Sequence, residues 1–312
     1  MMMDVVALGA LAVDYYAVVP KLPKEDEKTT ATEYKIMPGG VAGNVLTQTA
    51  RLGLKSGWIG KLGDDDSGNI LRSEFAKDAV DYSHAEMITD KHSMFTWITV
   101  DAQGDRSIIM FPNVLSEFTA HDVVSKHAEY IRSSKVLQAE ACVLPLSIML
   151  AGLQIARQAH VMTVFDLDVA PSEIERSNLG TQAELKEILS LVDVLIPCKR
   201  AAQELIGSED FVMHGSKLLQ FGARVAAVTL GSKGCMVLDK HEQHVVPAVE
   251  VGKIVDTTGA GDAFHGGMIY ALLNKMPLKQ AGLFANACGG MCCTAIGARS
   301  MGTLAQIKAL IS

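Results

Sequence analysis

Short apolar runs alternate with helical patterns along most of this chain, and that alternation restricts its fold more than any other feature. Residues 5–8 read as a strand that ends at Gly9. Residues 44–52 read as a helix with Val45, Leu46, Thr49 and Leu52 along one face. A strand at 55–59 and a helix at 67–76 follow. Further strands are expected at 135–137, 161–165, 192–196 and 225–230, with helices at 147–158 and 183–190 between them. Strands separated by helices of roughly 10–15 residues imply a parallel sheet covered on both faces. The expected fold class is α/β: a three-layer α/β/α core with a mostly parallel central sheet, plus a small β-sheet lid.

Two segments, 14–37 and 92–112, break the rhythm and show no clear helix. In the second, residues 95–100 and 107–111 flank Asp101-Ala102-Gln103-Gly104-Asp105, a hairpin turn. The two segments are expected to form one small, mainly antiparallel sheet that projects from the core as a lid. The core is then residues 1–13, 38–91 and 113–312. Phe95, Trp97, Ile109 and Phe111 are too much apolar surface for a projecting sheet to leave in water on both faces. One face should cover a ligand and the other a second copy of the chain, which predicts a homodimer joined through the lids.

Composition excludes several classes. Hydrophobic residues make up 49% and charged residues 20%, so the chain can bury a core and is not disordered. A net charge of -7 without a basic run gives no electrostatic footprint for nucleic acid. Cys142, Cys198, Cys235, Cys288, Cys292 and Cys293 contain no C-x-x-C pair and read as reduced, buried small side chains. The stretch 282–297 is short and weakly hydrophobic for a membrane span. No signal peptide is visible at the start. The expectation is a soluble cytoplasmic protein with no membrane partner.

The chemistry concentrates in Asp256-Thr257-Thr258-Gly259-Ala260-Gly261-Asp262-Ala263-Phe264-His265-Gly266-Gly267. A strand over 249–255 should precede it, and a helix with Phe264, Met268, Ala271 and Leu272 on one side should follow. Gly259, Ala260 and Gly261 then sit at a helix N-terminus, where amides lack intrahelical partners and the helix dipole is positive. Small residues let a phosphate approach, and the amides would stabilise charge on a transferring phosphoryl group. Asp262, in the first turn, can accept the proton of an attacking hydroxyl. A bare Gly-x-Gly-Asp would more simply be a turn with a first-turn carboxylate. The full string is far more specific.

That string resembles the C-terminal signature of the ribokinase-like (PfkB) carbohydrate kinase family, and the resemblance covers nearly the whole chain. The family's N-terminal signature is matched by Pro38-Gly39-Gly40-Val41-Ala42-Gly43-Asn44, followed by Arg51-Leu52-Gly53. Gly39 and Gly40 would let the chain pass close to a substrate, and Asn44 could bond its hydroxyls. Without the family, this is equally a loop with an Asn helix cap. The resemblance implies an ATP-dependent sugar kinase that uses Mg2+. It implies substrate contacts from Asp14 and from Glu140, which resembles a ribokinase position near the sugar. It implies ATP contacts from Thr229, Gly231, Gly234 and Asn286. It also implies a monovalent-cation site, for K+, at Asp256 with a loop matching residues 297–301, although that loop diverges here.

Two departures matter. The family's Asn-x-x-Glu motif, which organises magnesium and phosphates, is replaced by Cys198 and Ala201. Magnesium is therefore expected chiefly on nucleotide oxygens and water. Relatives acting on keto-deoxygluconate carry Asp-x-Asn-x-Arg where this chain has Asp166-Leu167-Asp168-Val169-Ala170, so a carboxylate clamp is absent there. The Asp-x-Asp pattern looks closer to the sulfofructose kinase branch, yet residues 138–142 offer no arginine for a sulfonate. Arg106, beyond the lid turn, is the best remaining cationic contact, against the reading of an exposed hairpin charge. The expected acceptor is a neutral ketose or pentose. A nucleoside or inositol kinase on the same scaffold, and a sugar-sensing pseudokinase, are the alternatives.

Overall fold

The structure is a computed structural model that describes residues 2–312. Along the chain the strands are β1 (Met3–Leu8), β2 (Ala12–Val18), β3 (Glu33–Gly39), β4 (Ser56–Gly63), β5 (Asp81–Ile88), β6 (Phe95–Val100) and β7 (Arg106–Phe111). They continue as β8 (Ser134–Ala141), β9 (Met162–Leu167), β10 (Val194–Pro197), β11 (Val225–Thr229), β12 (Cys235–Asp239) and β13 (Gln243–Val246).

Nine of these strands form one sheet in the order β13-β12-β11-β10-β9-β8-β1-β4-β5. Pairing is parallel from β5 through to β11, and β12 and β13 close one edge antiparallel. The central strands are buried nearly end to end, as a parallel sheet covered on both faces requires. The expected helices appear as Val41–Arg51, Asp66–Lys77, Leu146–Gln158 and Gln182–Leu191. Trp58, Phe75, Phe165 and Phe284 are fully buried between the layers.

The second sheet has four strands in the order β3-β2-β6-β7. Its outer pairs are antiparallel, but β2 and β6 run parallel. Register places Tyr15, Ile36, Trp97 and Ile109 on one face, and Asp14, Met37, Thr96 and Met110 on the other. Tyr15 stacks on Tyr34 and Trp97 and meets Phe95 edge-on, so the first face is an aromatic surface. Tyr34, Ile36, Trp97, Ile109 and Phe111 on it remain exposed.

One expected element is absent. Residues 249–255 are irregular rather than a strand. The sheet already ends at β13, so this segment has no neighbour to pair with. Gly252 also takes a left-handed φ of 83° that breaks an extended run. No helix among the described residues is long and apolar enough to cross a membrane.

Candidate active site

The helix Ala260–Leu273 starts at Gly259, whose φ of 79° lies in the left-handed region. A Cβ there would lie 2.3 Å from the Ala298 carbonyl oxygen, so only glycine fits. No side chain caps this helix. The amides of Gly261 and Asp262 are thus left without intrahelical acceptors at the positive end of the dipole. A Cβ on Gly261 would meet nothing within 4 Å, so the backbone there is open to an approaching group.

Two cavities meet just before this turn, where Ile254 and Thr257 line both. One, of about 420 Å³, is lined by Thr229, Gly231, Gly234, Gly261, Phe264 and Asn286 among others. All four residues expected to contact ATP therefore line one cleft with the glycine-rich turn. Asn286 is less free than expected, because its Nδ2 donates to the carbonyls of Val246 at 3.1 Å and Pro247 at 2.9 Å. The irregular segment after β13 forms the opposite wall through Val249, Val251 and Ile254. Its apolar residues face the cleft instead of a sheet. The second cavity, of about 340 Å³, lies between the small sheet and the core. Asp14, Tyr16, Arg106, Asp256 and Thr258 line it, and Thr257 borders both cavities.

Asn44 Nδ2 donates to Asp262 Oδ2 at 2.8 Å, joining two segments 218 residues apart in sequence. Arg299 Nε donates to Asn44 Oδ1 at 3.1 Å, and its Nη2 donates to the Gly39 carbonyl at 3.0 Å. The guanidinium is buried and lies over the Phe75 ring. Reading the sequence missed Arg299. A signal existed: it is the only charged residue between Lys279 and Lys308, within a stretch of small and apolar side chains. The Val41–Arg51 helix fixes that stretch. Gln48 Nε2 donates to the Gly302 carbonyl at 3.0 Å, and Arg51 Nη1 donates to the carbonyls of Arg299 at 2.7 Å and Met301 at 3.0 Å.

Gly39 and Gly40 serve the small sheet itself. A Cβ on Gly39 would lie 2.2 Å from Asp14 Oδ2, and one on Gly40 would lie 2.6 Å from the Ala10 carbonyl oxygen. Gly40 also holds a φ of 85°. These glycines let the chain pass close to β2 where it leaves the core. Asp256 braces the turn: Oδ1 accepts from the Thr258 amide at 2.9 Å and hydroxyl at 2.8 Å, and Oδ2 accepts from the Gly297 amide at 2.9 Å. Glu140 lies beneath the floor, 1% exposed, with Oε1 accepting the Ala10 amide at 2.7 Å. Cys198 Sγ accepts the Ala201 amide at 3.4 Å and so caps the helix Lys199–Ile206. Among the described residues no group of three or more His, Cys, Asp or Glu is placed to hold a metal. Asp166 and Asp168 are carboxylates whose charges interact with Cys198 at the replaced motif.

The floor is acidic. Burial pushes Asp262 up to about 7, reinforced by Asp168 and Asp14 and opposed by Asn44 and Arg299. Burial likewise pushes Asp14 up to about 6, opposed by a Thr96 hydrogen bond and Arg299. His265 Nδ1 lies 3.1 Å from Asp166 Oδ2, but burial holds the imidazole down to about 3, so it is neutral. Arg106, exposed on β7, is the cation that acts on Asp168 and Asp256 from the small sheet.

Comparison with known proteins places this architecture. The chain matches the model of the pfkB family carbohydrate kinase over residues 2–304. It is 30% identical over 299 residues to a ribokinase of Haemophilus influenzae, across 94% of this chain and 93% of that protein. The Arabidopsis thaliana ribokinase complexed with ribose and ATP superposes with a TM-score of 0.88 at 21% identity, covering 100% of this chain and 99% of that one. A putative ribokinase II from E.coli in complex with ATP and Mg2+ superposes with a TM-score of 0.86 at 21% identity, over 99% of both chains.

The Arg299 contact yields a prediction. Arg299 favours the ionised form of Asp262, so Arg299→Met should raise the pKa of that carboxyl further. The acidic limb of the kcat/KM profile, set near pH 7 by Asp262, should move to higher pH. A pH–rate profile that does not move removes Arg299 from the tuning of this group.

Proposed function

This chain belongs to the pfkB carbohydrate kinase family and is a phosphotransferase, and on that premise we propose that it moves the γ-phosphoryl group of ATP to a hydroxyl, a primary alcohol, of a neutral sugar such as a ketose or pentose. The observation that carries the reading is the segment that enters the helix Ala260–Leu273: Thr257 lines both a nucleotide-sized and a sugar-sized cavity, Ala260 and Gly261 line the first, and Asp256 and Thr258 line the second. Thr229, Gly231, Gly234 and the wall built by Asn286 would receive the nucleotide. The free amides beside Gly261 would hold the transferring group, and small residues there let it approach. Asp262 would take the proton of the acceptor hydroxyl. Its pKa near 7 suits a base at neutral pH, since it is ionised often enough to act yet basic enough to accept.

Asn44 would hold one oxygen of the Asp262 carboxylate and leave the other to the acceptor hydroxyl. Asp14, from the small sheet, would accept hydroxyl hydrogens of the acceptor, and Arg106 would close over it. Closure excludes water as a competing acceptor. Magnesium would enter with the nucleotide and neutralise phosphate charge. Asp166 and Asp168 are the carboxylates on this side of the sheet that could steady its water shell. Asp256, already bonded through both oxygens, would support a K+ site chiefly by fixing the carbonyls of its loop.

A second reading draws on Cys198 and Ala201, which supply no oxygen where the family has Asn-x-x-Glu: a protein that binds a sugar without turning it over. Coupled ADP release over a panel of sugars, sugar acids and nucleosides separates the two. Binding without ADP release selects the sensor. Turnover of nucleosides alone selects a nucleoside kinase.

Asp262→Asn should lower kcat by roughly 10²–10⁴-fold with nucleotide binding retained. A near-normal kcat would take Asp262 out of the mechanism. Gly261→Val should fold, because nothing within 4 Å opposes a Cβ there, but it should lose turnover because the side chain fills the phosphate approach. Normal ATP turnover in that variant places the cradle elsewhere. The exposed aromatic face of the small sheet would be covered by a second copy of the chain. Sedimentation well above micromolar concentration should therefore give a dimer, and Trp97→Lys should weaken it. A strictly monomeric wild-type protein defeats this assignment.

A further inference from the structure

Asp256 binds the Thr258 amide and hydroxyl, which fixes one side of the turn that opens the helix Ala260–Leu273. The other side of that turn rests on the end of the helix Leu278–Cys292. Gly289 lets the two approach, since a Cβ on it would lie 2.9 Å from the Ala260 carbonyl oxygen. Three residues further along, the Cys292 thiol reaches the same segment. Its Sγ donates to the Thr258 carbonyl at 3.5 Å and to the Ala298 carbonyl at 3.4 Å. The Ala298 carbonyl oxygen is also the atom that a Cβ on Gly259 would strike.

Among the described residues no backbone amide donates to either carbonyl, and Cys292 is the side chain that donates to both. A thiol has one hydrogen, so the two carbonyls share it. The side chain is fully buried, and burial pushes the thiol up to about 12. The hydrogen therefore stays on sulfur at neutral pH and remains available to donate. A buried cysteine is more often a small packing residue. Its neighbours show the difference. Cys293 Sγ donates to the Gly289 carbonyl four residues back in its own helix, a contact open to any cysteine at a helix end. Cys292 instead joins two other segments of the chain.

Those segments carry the two halves of the site. Thr258 leads into Gly259 and the free amides beyond it. Ala298 precedes Arg299, which holds Asn44 and through it Asp262. We infer that Cys292 is a positioning residue: its shared S–H locks the glycine-rich turn to the loop that carries Arg299, and so fixes the phosphate-binding amides relative to the base. Cys292 lines neither cavity and acts only through these carbonyls. What the alignment serves rests on the kinase reading.

The test compares full-length Cys292→Ser and Cys292→Ala. Both side chains are smaller than cysteine, so the lost volume is common to them and the donor is the difference. Two quantities are measured at fixed pH and salt: coupled ADP release with the acceptor found by the panel, and amide hydrogen exchange. The Thr258, Gly297 and Ser300 amides are each hydrogen-bonded within the joined segments and report on them. Cys292→Ala should lower kcat about tenfold, leave nucleotide and acceptor KM within about twofold, and speed exchange over 257–261 and 297–301 but not elsewhere. Cys292→Ser should restore kcat to within about threefold of wild type and return exchange over both segments toward the wild-type rate. If serine and alanine behave alike, volume alone matters and the proposal is overturned. Wild-type exchange in Cys292→Ala also overturns it, as does faster exchange with an unchanged kcat. Should Cys292→Ala fail to fold, Cys292→Ser decides: near-wild-type exchange supports the clamp, and fast exchange confined to the two segments overturns it. The exchange arm needs no turnover, so a failure of the kinase reading is told apart from a failure of this one.

Discussion

The hydrogen bond from Asn44 to Asp262 is the contact around which the candidate active site is arranged. It ties a helix near the start of the chain to a helix near its end, and each partner is fixed by further bonds. Arg299 holds the other end of the Asn44 amide, which settles the orientation of that amide: Oδ1 accepts and Nδ2 must face the carboxylate. Arg51 and Gln48, on the turns that follow Asn44, bind the backbone that carries Arg299. One helix face thus holds the proposed base, the residue that tunes it and the loop that carries the tuning residue. A carboxylate that must meet a hydroxyl in one geometry gains from such support, because a small misplacement costs much of the rate.

The same region gathers an unusual density of acid. Asp14, Glu140, Asp166, Asp168 and Asp262 lie at the carboxyl ends of adjacent parallel strands or on elements packed above them, the crevice where open α/β sheets place their ligands. Arg299 and Arg106 are the cations that act on this group, and Arg299 is already engaged by Asn44 and Gly39. Such a floor favours an acceptor rich in donors and poor in negative charge. That supports a neutral sugar over a sugar acid, and it agrees with Ala170 standing where a carboxylate-binding arginine would be.

The core was legible because its signals are local. Period and spacing placed the parallel strands and their helices, and the string from Asp256 to Gly267 could be put at a helix N-terminus from its own residues. The hairpin strands of the small sheet, near 95–100 and 107–111, were within reach for the same reason, whereas residues 14–37 showed only the lack of a helix. The misreading of 249–255 shows the limit of that method. Apolar residues there fit a strand, but Val249, Val251 and Ile254 line a cleft. Periodicity cannot tell a wall that faces a ligand from one that faces a neighbouring strand. Arg299 was out of reach for another reason, since its partners are Asn44 and Gly39, at the far end of the chain. The glycines at 39 and 40 were noticed, but their reason is the backbone and carboxylate of β2, which only the fold brings near.

The raised carboxyls link chemistry to stability with a definite sign. A group whose folded pKa lies above its unfolded value contributes fully below the unfolded value, and that contribution is lost as pH rises through the folded one. Asp14 and Asp262 start from 3.8 and are pushed up to about 6 and about 7. The rise in pH that ionises Asp262, and so makes it a base, therefore also weakens the fold. An acceptor that donates hydrogen bonds to these carboxylates would oppose the loss, because it binds the ionised form and stabilises the folded state by mass action. The charge that strains the floor is the charge that would recognise the hydroxyls.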